Sequence, residues 1–130
     1  MADNLSSFLS VLKEKYGSRA IIEIDTLPDY LRDASEIKGY PEAIIFAETE
    51  NDVIEIINDC RAGEIPLVFR GTGTGYTGGA VPVRGGIVLS LERLKKLEIE
   101  SNRKLAFCGP GVITLDLMKA AEKRNLFYPP

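Results

Sequence analysis

The stretch Arg70 to Gly79, RGTGTGYTGG, holds five glycines and three threonines in ten residues. Glycine reaches positive φ at little steric cost, so several consecutive positive-φ residues are expected here, turning backbone N–H groups inward as an anion nest. Such a nest can hold a pyrophosphate without a side-chain cation. Thr72, Thr74 and Thr77 add hydroxyl donors, and Gly78-Gly79 would let a ligand lie almost on the backbone. The loop also spells GxGxxG at Gly73, Gly75 and Gly78, so better-known phosphate loops must be weighed against it. A Rossmann loop must open a helix, because the pyrophosphate sits on the helix N-terminus. Here AVPVRGGIVLSL follows Gly79, with a proline, two glycines and a β-run instead. A P-loop ends in Gly-Lys-Ser or Gly-Lys-Thr, whereas Gly78 is followed by Gly79 and Ala80. A kinase glycine loop needs a nearby strand lysine, and the next lysines, Lys95 and Lys96, lie in a polar turn. The plain alternative is a flexible surface connection, but connectors between core strands usually run about two to six residues.

The loop must be held by flanking strands. EAIIFA reads as a buried strand, TENDVIEIINDCRAG as a helix capped by Thr49 with Asp52 three residues on, and IPLVF as a second strand. These form a βαβ unit with parallel strands and a right-handed crossover. GGIVLSL is a further buried strand, and KLEIES and KLAFCGPG flank a Ser101-Asn102-Arg103 turn as a hairpin, where Cys108 is expected to pack. A first helix is expected to be capped among Asn4, Ser6 and Ser7, to present Leu5, Phe8, Leu9 and Leu12 on one face, and to stop at Gly17. The strand AIIEI follows, then a loop with Thr26 capping a single turn and Pro28 and Pro41 as breakers. A last helix, capped by Thr114 with Asp116 in its first turn, ends near Asn125, before LFYPP. The succession predicts an α+β domain: a small sheet with a βαβ unit and flanking helices.

With 130 residues, 45% of them hydrophobic and 27% charged, the chain has globular composition and length for one domain. The net charge of -3 argues against a nucleic-acid partner, because Arg93, Lys95 and Lys96 form a short knot among Glu92, Glu98 and Glu100. That knot reads as a solvated face. No histidine is present, which excludes histidine triads and histidine metal sites. Cys60 and Cys108 are too few for a disulfide scaffold, and Cys60, beside Ile56 and Ile57, is expected to be a buried, inert thiol. The N-terminus lacks a secretory pattern and no apolar run is long enough for a membrane span, so a cytoplasmic location is expected.

RGTGTGYTGGAVPVRGGIVLSLERL, preceded by PEAIIFAETENDVIEII and followed by GPGV and LFYPP, resembles the FAD-linked oxidases and dehydrogenases of the vanillyl-alcohol-oxidase (PCMH-type) superfamily, in the glycolate oxidase and D-lactate dehydrogenase branch. The resemblance runs from about Tyr30 to Pro130. It implies that Arg70, Gly71, Thr72, Gly73, Thr74, Gly75, Gly78, Gly79 and Ala80 belong to a loop wrapping the FAD pyrophosphate through backbone N–H groups. It further implies that Pro110-Gly111 lies against the cofactor and that Tyr128-Pro129-Pro130 approaches the flavin side. Each has a plainer role beside this one: Arg70 bracing the loop to a carboxylate, Pro110-Gly111 a simple turn, Tyr128 a core residue, and Asp33 in YLRDAS a loop cap. Several relatives bind FAD covalently through a loop histidine; Thr74 stands at that position here, so noncovalent FAD is expected. Residues 1–130 then correspond to the first subdomain, the N-terminal part, of an FAD-binding domain. On this resemblance the second glycine-rich segment and the substrate domain, with its catalytic base, are expected to lie outside these residues. The implied activity is hydride transfer from a D-2-hydroxy acid to flavin, with the remaining FAD subdomain or a partner subunit completing the enzyme. A non-catalytic binding or assembly module is the alternative, and self-association of the segment is expected.

Overall fold

The computed structural model describes residues 2–129. In chain order the elements are α1 (Ala2–Tyr16), β1 (Ala20–Ile21), β2 (Ala43–Phe46), α2 (Glu50–Ala62), β3 (Leu67–Arg70), β4 (Ile87–Ser90), β5 (Leu97–Glu100), β6 (Leu105–Cys108) and α3 (Thr114–Glu122). Short 3-10 turns lie at Gly17–Arg19, Ile24–Thr26 and Pro28–Leu31. The βαβ unit β2–α2–β3 is present, but its strands are not neighbours: β4 lies between them, parallel to both, and β1 pairs antiparallel on the outer side of β2.

Strict alternation along the parallel strands divides the core in two. Ala43, Ile45, Ile87 and Leu89 face Leu12 and Tyr16 of α1 and Ile56 and Cys60 of α2. Ile44, Phe46 and Val88 face Ile24, Leu27 and Tyr30 of the turn segment. Both faces are covered, which is why these strands read as unbroken apolar runs. Burial pushes the Cys60 thiol up to about 11, so it stays an unreactive thiol near neutral pH.

The N-terminus of α2 carries the expected capping box: Thr49 Oγ1 accepts from the Asp52 N–H at 3.1 Å, and Asp52 Oδ2 accepts from the Thr49 N–H at 2.9 Å. The same carboxylate accepts from the Glu48 N–H and from Arg19. Burial alone would raise its pKa, but these donors outweigh burial and hold the carboxyl below the usual range. Asp52→Ala is therefore expected to cost about 1–2 kcal/mol in a denaturant melt at pH 7. A group depressed in the folded state stabilises fully above its unfolded value, about 3.9, and loses that contribution as pH falls through the folded value. The difference between wild type and Asp52→Ala should shrink as pH falls below about 4; a difference that stays constant as the pH is lowered would contradict this account.

Several local expectations are corrected. α1 begins at Ala2, so Ser6 and Ser7 lie inside the helix rather than capping it, and the Asn4 side chain lies outside the described ones; its end at Gly17, with φ +56°, is as expected. The strand at AIIEI is only two residues long, because the chain turns into the 3-10 segment at Ile24. Thr26 ends that turn, its hydroxyl donating back to the Glu23 carbonyl at 2.6 Å. α3 starts on Thr114, with Ile113 at the cap position and no side-chain cap. Cys108 is exposed, since every residue of β6 is open to solvent.

Candidate functional site

The three parallel strands end on the same side of the sheet, and in open α/β sheets ligands bind outside such carboxyl ends. There Arg70 closes β3 and the glycine loop begins. Its return is anchored by buried Val81 and Pro82, and Pro82 packs directly against Gly39. Gly71, Thr72, Gly73, Thr74, Gly75 and Ala80 form one wall of an open cleft of about 420 Å³, and Pro110 through Thr114 form the other. Two segments forty residues apart, both singled out from sequence, thus meet.

The loop's backbone is unusual in its hydrogen bonding. Among the described residues, no backbone N–H from Thr72 to Gly79 donates to a protein acceptor. Those of Thr72 to Gly75 lie along the cleft, where they are open to water and free to donate to a ligand that displaces it. No charged residue lines the cleft. The expected run of positive-φ residues is not found: within the loop only Gly73 (φ +75°) and Gly78 (φ +73°) are left-handed, because isolated reversals suffice to bend it. A Cβ on Gly75 would meet nothing within 4 Å, and one on Gly71 only the Pro110 carbonyl at 3.9 Å, so these glycines keep the cleft open. Gly78 packs near Ile37, and Gly78, Gly79 and Thr77 lie away from the cleft lining.

Arg70 is buried, and its guanidinium braces backbone carbonyls rather than a carboxylate: Nη1 donates to Arg32 O at 2.9 Å and Nη2 to Asp29 O at 2.8 Å. Asp33 acts as a loop cap, its Oδ1 accepting from the Ser35 hydroxyl at 2.5 Å and the Ser35 N–H at 2.9 Å. Ser35, and then the Ala80 N–H and the Arg70 charge, hold its carboxyl below the usual range against burial. The Pro110-Gly111 turn has a divided role. Pro110 faces the cleft, whereas Gly111 is buried against the preceding chain, where a Cβ would meet the carbonyl oxygens of Glu92 and Leu91 at 2.5 and 2.8 Å.

Tyr128 is not brought to this cleft. It lines a separate hollow of about 580 Å³ between the hairpin and α3, with Cys108, Leu117 and Leu126; Pro129 is exposed and lines neither, and Pro130 lies outside the described residues. Conversely, the start of α3 was missed. Ile113 and Thr114 line the cleft, and this uncapped first turn leaves N–H groups and the positive end of the helix dipole beside the loop. Reading Thr114 as the cap hid this, since a Thr cap would have satisfied one of those donors itself.

Among the described residues, no helix is long and apolar enough to cross a membrane. The chain is 35% identical over 113 residues to glycolate oxidase subunit GlcD of Bacillus subtilis, covering 86% of this chain and 23% of that protein. It is 38% identical over 87 residues to a D-lactate dehydrogenase of Archaeoglobus fulgidus, covering 67% of this chain and 20% of that one. The chain thus spans about a quarter or less of the length of these relatives. Its fold superposes on p-cresol methylhydroxylase, solved with substrate bound, with a TM-score of 0.81 at 23% identity, over 97% of this chain and 26% of that one. The expected PCMH-type α+β architecture is therefore the one present. Residues 41–130, which include the glycine loop, the Pro110 turn and the whole cleft between them, match the FAD binding domain family, and the chain belongs to that family, with FAD as its cofactor.

Proposed function

We propose that the cleft between the glycine loop and the Pro110 turn holds the FAD pyrophosphate, in an oxidoreductase that oxidises a D-2-hydroxy acid. The observation that carries the binding site is the set of N–H groups of Thr72 to Gly75, without protein acceptors, along a cleft with no charged lining. The residues fit the group: Gly71 and Gly75 leave room for phosphate oxygens on the backbone, Thr72 and Thr74 stand beside them, and the first turn of α3 adds donors from the opposite wall. The substrate class rests on relatives named as a glycolate oxidase subunit and a D-lactate dehydrogenase. When bound, FAD supplies the redox chemistry by accepting the substrate's hydride. No acid or base lines the cleft, so these residues bind and orient and do not move protons.

Residues 1–130 are expected to form no covalent bond to the flavin. The chain has no histidine, Cys60 is buried, and Cys108 opens on the other hollow. After acid precipitation and proteolysis of the FAD-loaded whole protein, no washed peptide from residues 1–130 is expected to carry flavin; flavin on such a peptide would contradict this. Site and substrate class are tested separately. ADP titration followed by amide shifts should move Gly71 to Gly75, Ala80 and the Pro110 turn first, and shifts confined elsewhere would remove the cleft assignment. Dye reduction by the whole protein with D-lactate or glycolate tests the substrate class, and inertness toward every D-2-hydroxy acid would remove that one.

A further inference from the structure

Strand register sets Phe46, Ser90 and Arg70 side by side at the carboxyl end of the sheet, Phe46 opposite Ser90 and Ser90 opposite Arg70. Tyr30, from the Pro28–Leu31 turn, lies across this row. Its ring meets Phe46 edge-on with centroids 5.6 Å apart, takes the Arg70 guanidinium at 5.0 Å, and its hydroxyl donates to Glu92 Oε2 at 2.6 Å. Burial and the Glu92 carboxylate push the Tyr30 phenol up to about 12, so it remains a donor. Arg70 itself is 5% exposed and does not line the cleft. A Cβ on Gly73 would fall on the Arg70 guanidinium, which is therefore the surface against which the left-handed turn at Gly73 is laid.

We propose that Arg70 is a positioning residue: its planar fork, clamped to the Asp29 and Arg32 carbonyls and stacked on Tyr30, shapes the N–H row of the loop from beneath, and its charge does not meet the phosphate. This rests on the cleft being the pyrophosphate site, and it replaces the carboxylate brace expected from sequence with a clamp on backbone carbonyls. A lysine keeps the charge but has neither the fork nor the flat face.

The test is an ADP titration of the 130-residue chain followed by NMR. In wild type the amides of Thr72 to Gly75 should shift while the Arg70 Nε–H does not. An Arg70 side chain that shifts as strongly as the loop overturns the proposal. Unmoved loop amides in wild type overturn the cleft assignment itself, and the proposal with it. Arg70→Lys should weaken ADP by about tenfold, and the amides of Thr72 to Gly75 should leave their native positions while those of β2 and α2 keep theirs. Wild-type affinity in Arg70→Lys with loss in Arg70→Gln would show that charge, not shape, is what matters. Should Arg70→Lys fail to fold, the ring beneath decides: Tyr30→Phe should keep wild-type affinity and Tyr30→Leu should lose about tenfold. Equal affinity in both Tyr30 variants overturns the proposal.

Discussion

Gly73→Val and Gly75→Val are each expected to weaken FAD binding to the whole protein by about a hundredfold or more, yet only the first should disturb the fold. At Gly73 the backbone is left-handed, which costs a residue with a Cβ about 1–2 kcal/mol, and the new side chain would fall on the clamped Arg70 guanidinium. The loop must shift and its N–H groups lose their common aim. Gly75 is different. Its φ is not positive and a Cβ there meets open space, so the ligand-free protein should lose less than about 0.5 kcal/mol. The isopropyl group would instead stand in the cleft where phosphate oxygens are to lie. Melting curves without flavin, paired with FAD titrations, separate the two effects. If Gly75→Val binds as wild type does, the cofactor does not lie on this part of the backbone and the site has been drawn in the wrong place.

The contrast between these glycines shows what sequence reasoning could and could not reach. The parallel strands and α2 were readable because local signals agree with global burial: apolar runs covered on both faces, and a Thr49–Asp52 box with no competing arrangement. Strand order was not readable, since nothing in GGIVLSL says that it is inserted between its two predecessors rather than added at an edge. Hairpin burial failed for a related reason. β6 pairs with β5 and otherwise faces solvent among the described residues, so alternation there carries no information about a core. The loop and the Pro110 turn were recognised by glycine and proline content, which reports close backbone approach. Composition could not say which glycine serves which purpose: Gly73 gives way to Arg70, Gly111 to the carbonyls of Leu91 and Glu92, and Gly75 to nothing in the chain. Arg70's partners were beyond sequence altogether, because every residue has a carbonyl and only the fold selects those of Asp29 and Arg32.

The 130-residue polypeptide alone is expected to fold, to bind FAD about a thousandfold more weakly than a whole protein of this family, and to self-associate. Folding follows from a closed core: helices cover one face of the sheet, the turn segment covers the other, and none of these contacts needs further chain. Tight binding does not follow. The cleft is open, its donors compete with water, and a thousandfold corresponds to about 4 kcal/mol, a modest share of what enclosing walls contribute to a largely buried cofactor. Self-association follows from the hollow between the hairpin and α3. Leu105, Leu117, Leu126 and Tyr128 line the apolar hollow there, Phe107 and Phe127 stand 50% and 78% exposed, and the outer edge of β6 is unpaired among the described residues. Exposed apolar surface beside an open strand edge is a template for pairing with a second copy. Light scattering should therefore show a concentration-dependent rise in mass that Phe107→Ser with Phe127→Ser suppresses, while both chains keep the same weak FAD affinity. No D-lactate or glycolate dye reduction should accompany either, since the cleft contains no proton-transfer group. A monomer holding FAD tightly, or turnover by these residues alone, would mean that the binding energy and the chemistry reside within this segment after all.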